Sequence, residues 1–428
     1  MENVNIDPEW AEKRLLDRFE RYVRIDTTSD RNADAVPSTE SQWELLRALE
    51  KELRELGVDD VDLDENGYLI ARLAARAGSS GSRTEQDASA LPPAVGFLAH
   101  VDTASEASGR NVQPQVHRNY DGKPIELAEG ITIDPAEYPE LQDRIGDTII
   151  TSDGTTLLGA DDKAGVAEIM TAVEWLKENP GTEHGEIEII FTPDEETGRG
   201  MDRFPAGKLK SKYCYTFDGD VEGTIEAECF YGCMAVVRCK GVSIHPGKGR
   251  GKLMNAVTMA SQFISMLPRN ESPEATDGRY GFYCPLEIKG GMGEAEIHLL
   301  VRDFEYPEIE RRSEALRKIA AAVEAAFPGS SVEVEVRKQY DNLRDHLDRE
   351  PRGLEFLREA VRMAGMEPVE EEIRGGTDGA RLSEMGIPTP NVFTGGANYH
   401  SVREWASLQV MRKAVTVLLN IIRLWAKA

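Results

Sequence analysis

Cysteine is scarce in this chain. The five residues, Cys214, Cys229, Cys233, Cys239 and Cys284, are odd in number, lie in apolar strand-like segments and form no CxxC pair. That excludes a disulfide framework and points to buried, reduced thiols in a cytoplasmic protein. A zinc site at Cys229, Cys233 and Cys239 would lack both the usual paired spacing and a neighbouring histidine. Positive charge is also in deficit: 50 Lys+Arg against 76 Asp+Glu leave a formal charge of −26. Nucleic-acid phosphates and anionic membranes are therefore poor partners. Long hydrophobic runs are missing, so no bilayer span is expected. The opening "MENVNIDPEWAEKRLL" is charged and has no apolar h-region, so no signal peptide is expected. No internal repeat is present. What remains is an ordinary globular composition, 40% hydrophobic and 29% charged over 428 residues, enough for two or three domains' worth of core.

The hydrophobic pattern divides the chain. Trp10 to Val23 has apolar residues at helical spacing, and Thr39 with Gln42 reads as a capping box ahead of a helix that Gly57 would stop. The segments "VDLD", "YLIARLAA" and "AVGFLAHVD" read as strands. Between the last two, the turn-rich stretch Ala75 to Pro93 reads as a surface loop. An irregular segment from His100 to about Gly146 precedes "KAGVAEIMTAVEWLKENP", an amphipathic helix that Asn179-Pro180 ends. Strands "EIEIIFT" and "YCYTFDGD" follow. Strands that are apolar runs, alternating with helices, predict an α/β domain with a mostly parallel central sheet. From about Val221 to Asp341 the order becomes ββ-α-ββ-α-β, which predicts an inserted α+β sandwich of one sheet and two helices. The chain then returns to α/β character and ends in a helix from Leu408 to Lys427. The expected division is a main domain of residues 1–220 and 342–428 with an insert of residues 221–341. Val236 to Lys240 is a candidate sheet edge through which two copies would dimerise.

Five places carry chemistry, each at or after a strand end, where α/β sheets put their sites. His100 and Asp102 in "AHVDT" share one face of an extended chain, which suits a metal-bound imidazole steadied by a carboxylate; a hydrogen-bonded core histidine is the plainer reading. Asp161 and Asp162 precede a helix, where one acid is expected as a cap and a second is harder to explain without a cation. Asp194, Glu195 and Glu196 in "TPDEETG" are either a solvated turn or acids facing a positive charge. Asp218 in "YTFDGD" suits a turn, and His400 in "FTGGANYHS" is a lone loop histidine. Together they supply the N/O donor set of a divalent metal site. Two ions would need one carboxylate shared between them.

The motifs "HVDT", "LLGADDKAG", "FTPDEETG", "YTFDGD", "HPGKG", "MNAV", "VRDF", "IRGGTDGARLS" and "FTGGANYH" occur in order over nearly the whole chain. In combination they resemble the peptidase T family, the tripeptide aminopeptidase branch of the dinuclear zinc exopeptidases related to carboxypeptidases and aminoacylases. The leader before Trp10 and the Ala75–Pro93 loop are longer than usual there, and "MNAV" replaces "VNAL". The resemblance implies two zinc ions, with cobalt or manganese as other candidates. Asp161 would bridge them, His100 and Asp218 would complete one, and Glu196 and His400 the other. Asp102 would orient His100, and Glu195 would be the general base. His245 would reach the scissile carbonyl as an oxyanion donor. Asn255, Arg302 and Arg374 would clamp the substrate. The implied reaction is removal of the N-terminal residue from short peptides, with the insert as a lid closing over the cleft. Three alternatives compete: a dipeptidase, carboxypeptidase or N-acyl amino acid deacylase on the same metal core; an idle metal-binding protein on the same fold; and a phosphoesterase, for which no P-loop-type cradle is present.

Overall fold

The computed structural model describes residues 3–76, 92–219 and 221–428. Most of the Ala75–Pro93 loop lies outside the described residues. The chain forms two compact units. The first holds Met1–Ala227, His346–Glu371 and Thr377–Ala428, and the second holds Glu228–Asp345 with Glu372–Gly376.

The first unit is built on an eight-stranded sheet. Its order is Asp60–Leu63, Leu69–Leu73, Ile187–Thr192, Val95–His100, Cys214–Gly219, Asn391–Phe393, Thr224–Cys229 and Val369–Ile373. The middle strands are parallel: Ile187–Thr192 with Val95–His100, that strand with Cys214–Gly219, and Cys214–Gly219 with Asn391–Phe393. The flanking pairs are antiparallel. Val95–His100 and Ile187–Thr192 are buried along their whole length, as expected of strands covered on both faces. Their apolar side chains, each worth about 1.5–3 kcal/mol when fully buried, hold the sheet against its helices. Phe97 stacks with Tyr215 at 6.0 Å between ring centroids, and Tyr215 accepts a 2.9 Å hydrogen bond from the indole of Trp425.

Helix Ala160–Glu178 runs through the core, packed on strand Val95–His100 and between helices Pro8–Val23 and Leu408–Trp425. Its small residues allow this. At Gly165 a Cβ would fall 2.0 Å from the Phe217 carbonyl oxygen, so only glycine lets helix and strand approach so closely. The expected helices are present, but the capping box is not. Helix Gln42–Glu55 starts after Ser41 with no side-chain cap, and Gln42 reaches instead to the Asp194 carboxylate at 2.8 Å. The segment expected to be irregular contains short strands. Gln115–His117 and Ile149–Thr151 join Trp405–Ser407 and Gly396–Ala397 in a small sheet.

The second unit is a four-stranded antiparallel sheet, ordered Phe282–Gly290, Glu294–Asp303, Tyr231–Lys240 and Ser331–Tyr340, with helices Ala256–Ser265 and Tyr306–Ala326 against one face. Ala295, Ile297, Leu299 and Val301 are buried at every second position, the period-two signature of a one-sided sheet. Two expectations fail here. Thr224–Cys229 joins the large sheet through the pairs Ile225↔Val392 and Glu226↔Asn391 rather than entering the small one. Val236–Lys240 is interior, paired on both sides; the edges are Phe282–Gly290 and Ser331–Tyr340. All five cysteines are free thiols, and none belongs to a metal-type cluster among the described residues. No helix among the described residues is long and apolar enough to cross a membrane.

Candidate metal centre

The strands of the large sheet deliver acids and imidazoles to one edge. Val95–His100 ends on His100. Ile187–Thr192 runs through Pro193 into Asp194, Glu195 and Glu196. Cys214–Gly219 carries Asp218, and helix Ala160–Glu178 begins there with Asp161 and Asp162. His400 comes from the loop after strand Gly396–Ala397.

Asp161 lies at the middle. Its Oδ1 is 2.9 Å from His100 Nε2 and its Oδ2 is 3.2 Å from His400 Nε2. His100 Nε2 is also 3.3 Å from Asp218 Oδ1, and His400 Nε2 is 3.1 Å from Glu196 Oε2. One carboxylate thus faces two donor groups, His100 with Asp218 and His400 with Glu196, as a ligand shared by two cations must. Ligand atoms of His100, Asp161 and Glu196, and of His100, Asp162 and Asp218, lie within 4.8 Å of one another.

The supporting contacts are equally specific. His100 Nδ1 is 3.1 Å from the Asp102 carbonyl oxygen and 3.3 Å from its carboxylate, leaving Nε2 turned to the centre. Asp102, fully buried, accepts the backbone N–H of Glu195 at 3.0 Å and of Glu196 at 3.2 Å. Asp194 has a left-handed backbone, φ 62°, and its carboxylate accepts from Ser38 N at 2.7 Å, Ser38 Oγ at 2.5 Å and Gln42 Nε2 at 2.8 Å. It is both the turn residue and the tie that holds the acidic turn to the neighbouring helix. Asp162 uses both oxygens on backbone, accepting from His100 N at 3.2 Å and Gly165 N at 3.1 Å.

Burial and mutual crowding raise most of these acids, while the imidazoles of His100 and His400 hold Asp161 below the ordinary carboxylate range. Burial first, then the Asp161 charge, pushes Glu196 up to about 8. Burial pushes Asp218 to about 6 against the pull of His100, and holds Glu195 and Asp162 well above the carboxylate range. Hydrogen bonds to Asp161 and Glu196 raise His400 to about 11. Burial disfavours a charged His100, yet Asp218 and its hydrogen-bond partners keep its pKa well above the ordinary value. Glu196 Oε1 is buried with no hydrogen-bond partner. An all-N/O donor set, a surplus of acid and an orphaned acceptor together fit divalent cations, which reverse the cost of bringing carboxylates together.

Four further residues named from the sequence lie in the second unit. His245 Nδ1 accepts from Gly247 N at 3.2 Å, and Asn255 caps helix Ala256–Ser265 through Val257 N. Arg302 is buried, donates to the carbonyls of Cys233 and Val301, and lies over the Tyr340 ring. Arg374 donates to the Tyr280 and Thr276 carbonyls between the rings of Phe230 and Phe282.

Three buried acids near the centre had no assignment from sequence. Asp162 was visible only as an unexplained second acid. Asp378 accepts from Thr192 Oγ1 at 2.6 Å and is pushed to about 7 by burial. Glu404 follows His400 by four positions, with nothing in its neighbours to mark it.

Residues 157–424 match peptidase family M20/M25/M40. The peptidase T of Geobacillus sp. (strain WCH70) is 43% identical over 413 residues, 96% of this chain and 98% of that one. The peptidase T of Clostridium perfringens (strain ATCC 13124) is 44% identical over 415 residues, 97% and 100% of the two chains. The fold is shared with an aminopeptidase PepT of Bacillus cereus, TM-score 0.70 at 23% identity over 97% of this chain and 99% of that one. It is shared also with a Bacillus subtilis protein described as a dinuclear metal-binding peptidase of the M20 family, TM-score 0.64 at 17% identity over 97% and 98%.

Proposed function

The chain belongs to peptidase family M20/M25/M40, and on that premise we propose that it is an aminopeptidase that removes the N-terminal residue from short peptides, chiefly tripeptides. The observation that carries the reading is the carboxylate of Asp161 placed between His100 and His400, in a chain more than 40% identical to peptidases T along nearly its whole length.

We assign His100, Asp161 and Asp218 to one divalent ion and Asp161, Glu196 and His400 to a second. Zinc suits this mixed imidazole–carboxylate set, and cobalt and manganese suit it too. Such ions supply Lewis acidity, polarising a peptide carbonyl and acidifying water. The chain's own groups do the rest. Glu195 takes the proton of the attacking water and returns it to the leaving amine. Asp102 holds the Glu195 and Glu196 backbone with one carboxylate, so base and ligand keep a constant separation. His245, with Nδ1 engaged as an acceptor, carries its proton on Nε2 and is the proposed donor to the oxyanion. Asn255, Arg302 and Arg374 are the proposed contacts for the peptide backbone and carboxylate. Their bonds to the fold preorganise them and cut the entropy cost of binding. The second unit is the proposed lid, and its exposed edge residues Leu286 and Ile288 suit pairing with a second copy. The free thiols suit a cytoplasmic setting.

The deciding experiment is a panel of free and N-acetylated di-, tri- and tetrapeptides offered to the full chain with zinc, cobalt or manganese, alongside analysis of its bound metal. Cleavage of free tripeptides at the first bond is expected. Cleavage of blocked substrates alone would assign the chain to the deacylases instead.

A further inference from the structure

Glu404 is 1% exposed, and three backbone N–H groups converge on its carboxylate. Oε2 accepts from Leu158 N and Gly159 N, both at 2.8 Å, and Oε1 accepts from Asp161 N at 3.1 Å. These donors belong to the turn that enters helix Ala160–Glu178, where Gly159 has φ +84°. The first N–H groups of a helix have no intrahelical partner, and here a residue from the far end of the chain supplies the acceptors. Only a carboxylate offers acceptors at both oxygens. An amide would turn an NH2 group toward one of the donors. Glu404 also follows His400 by four residues, and its own N–H donates to the Ser401 carbonyl oxygen at 3.3 Å. The same side chain therefore fixes the backbone that presents Asp161 and anchors the loop that presents His400.

We propose that Glu404 is a positioning residue for the metal centre, setting the separation between Asp161 and His400 and hence the affinity for the ion that these two share with Glu196. The inference rests on the two-ion reading above. The other ion keeps His100 and Asp218, whose backbones Glu404 does not touch. Both ions share Asp161, but only one also takes His400 from the loop that Glu404 anchors, so loss of the carboxylate weakens that ion more than the other, which distinguishes positioning from general support of the fold.

The test is titration of the metal-free full-length chain with Zn²⁺ and with Co²⁺, read by calorimetry and by the visible absorption of cobalt, for the parent, E404Q and E404D. The parent takes up two ions. E404Q weakens the ion held by Asp161, Glu196 and His400 about 10–100-fold, the usual loss when a group supporting a ligand is removed, and weakens the other ion, which shares only Asp161 with it, less. The cobalt spectrum then changes chiefly in its second equivalent. E404D keeps the charge with a shorter reach and falls between. If E404Q lowers only the melting temperature of the metal-free chain and binds both ions with parental affinity, the role is structural and the proposal fails. Equal weakening of both ions also overturns it. A parent chain that takes up no metal overturns the two-ion reading itself, and the inference with it.

Discussion

His100 and Asp161 meet at 2.9 Å, Nε2 to Oδ1, one closing a strand and the other opening a helix. Neither residue has a local reason to face the other. Their contact exists because the sheet and the helix packed on it bring a strand's last residue and a helix's first turn to one edge.

Glu195→Gln keeps the shape of the side chain and removes its ability to carry a proton. Turnover of a tripeptide is expected to fall roughly 10²–10⁴-fold, with bound metal unchanged by elemental analysis. Parental activity in this variant would remove Glu195 from the base role.

Metal affinity is expected to rise with pH. Metal binds the deprotonated ligands, while in the metal-free chain burial and crowding lift Asp218 to about 6 and Glu196 to about 8 and hydrogen bonds to two acids lift His400 to about 11. Each of these groups must shed its proton to ligate, so binding releases protons and tightens as pH climbs through the interval from 6 to 8. Calorimetry in two buffers of different ionisation enthalpy measures the release. Identical heats in both would contradict the assignment of these residues as ligands.

Asp194→Asn keeps the side chain's size but points donors at Ser38 and Gln42, which are themselves donors to this carboxylate. A cost of about 1–3 kcal/mol is expected, seen as a lower urea midpoint with an unchanged slope. Turnover should fall with it, because the turn that carries Glu195 and Glu196 loses its tie. Ser38→Ala, which spares the Ser38 N–H and the Gln42 bond to Asp194 but removes the acceptor that Asp30 N and Gln42 Nε2 also use, is expected to cost less, about 0.5–1.5 kcal/mol.

His184 gives a pH signature away from the centre. It is 2% exposed, Nδ1 is 2.7 Å from the Gly185 carbonyl oxygen, and burial lowers its pKa below the ordinary value, with Arg76 adding to the effect. A depressed folded pKa means that the unfolded chain takes the proton first. This contribution to stability is therefore full above about pH 6.5 and is lost as pH falls through the lower folded value. Melting temperature against pH should show that acid slope in the parent, and a shallower one in His184→Gln. Equal slopes would show that His184 does not titrate there.

The sequence was most legible where the physics is local. "EIEIIFT" is strand because an unbroken apolar run suits a sheet covered on both faces, and "KAGVAEIMTAVEWLKENP" is helix because of its spacing and its stop. The residues proposed as metal ligands were legible as types, since an acid or histidine directly after an apolar run is conspicuous. Less visible were the residues whose partners are backbone groups. Asp162 and Asp161 look alike in sequence, yet one holds the His100 and Gly165 amides while the other faces both imidazoles. Glu404 binds three N–H groups, and a backbone N–H leaves no trace in residue identity. Thr39 and Gln42 have the spacing of a capping box, but Asp194, 152 positions beyond Gln42, offers that amide a buried carboxylate. Thr224–Cys229 looks like the neighbouring strands, and only its pairing with Asn391–Phe393 decides which sheet it joins.

By itself, then, the sequence determined the alternation of strands and helices, the one-sided sheet of the second unit and the residue types that gather at the strand ends, because apolar periodicity and side-chain chemistry are properties of short segments. Tertiary structure alone decided which acid stands between two histidines, which acids hold the backbone behind it, and which strand lies at an edge. Those outcomes depend on donors and acceptors converging from distant parts of the chain, and that convergence is set by how the layers pack.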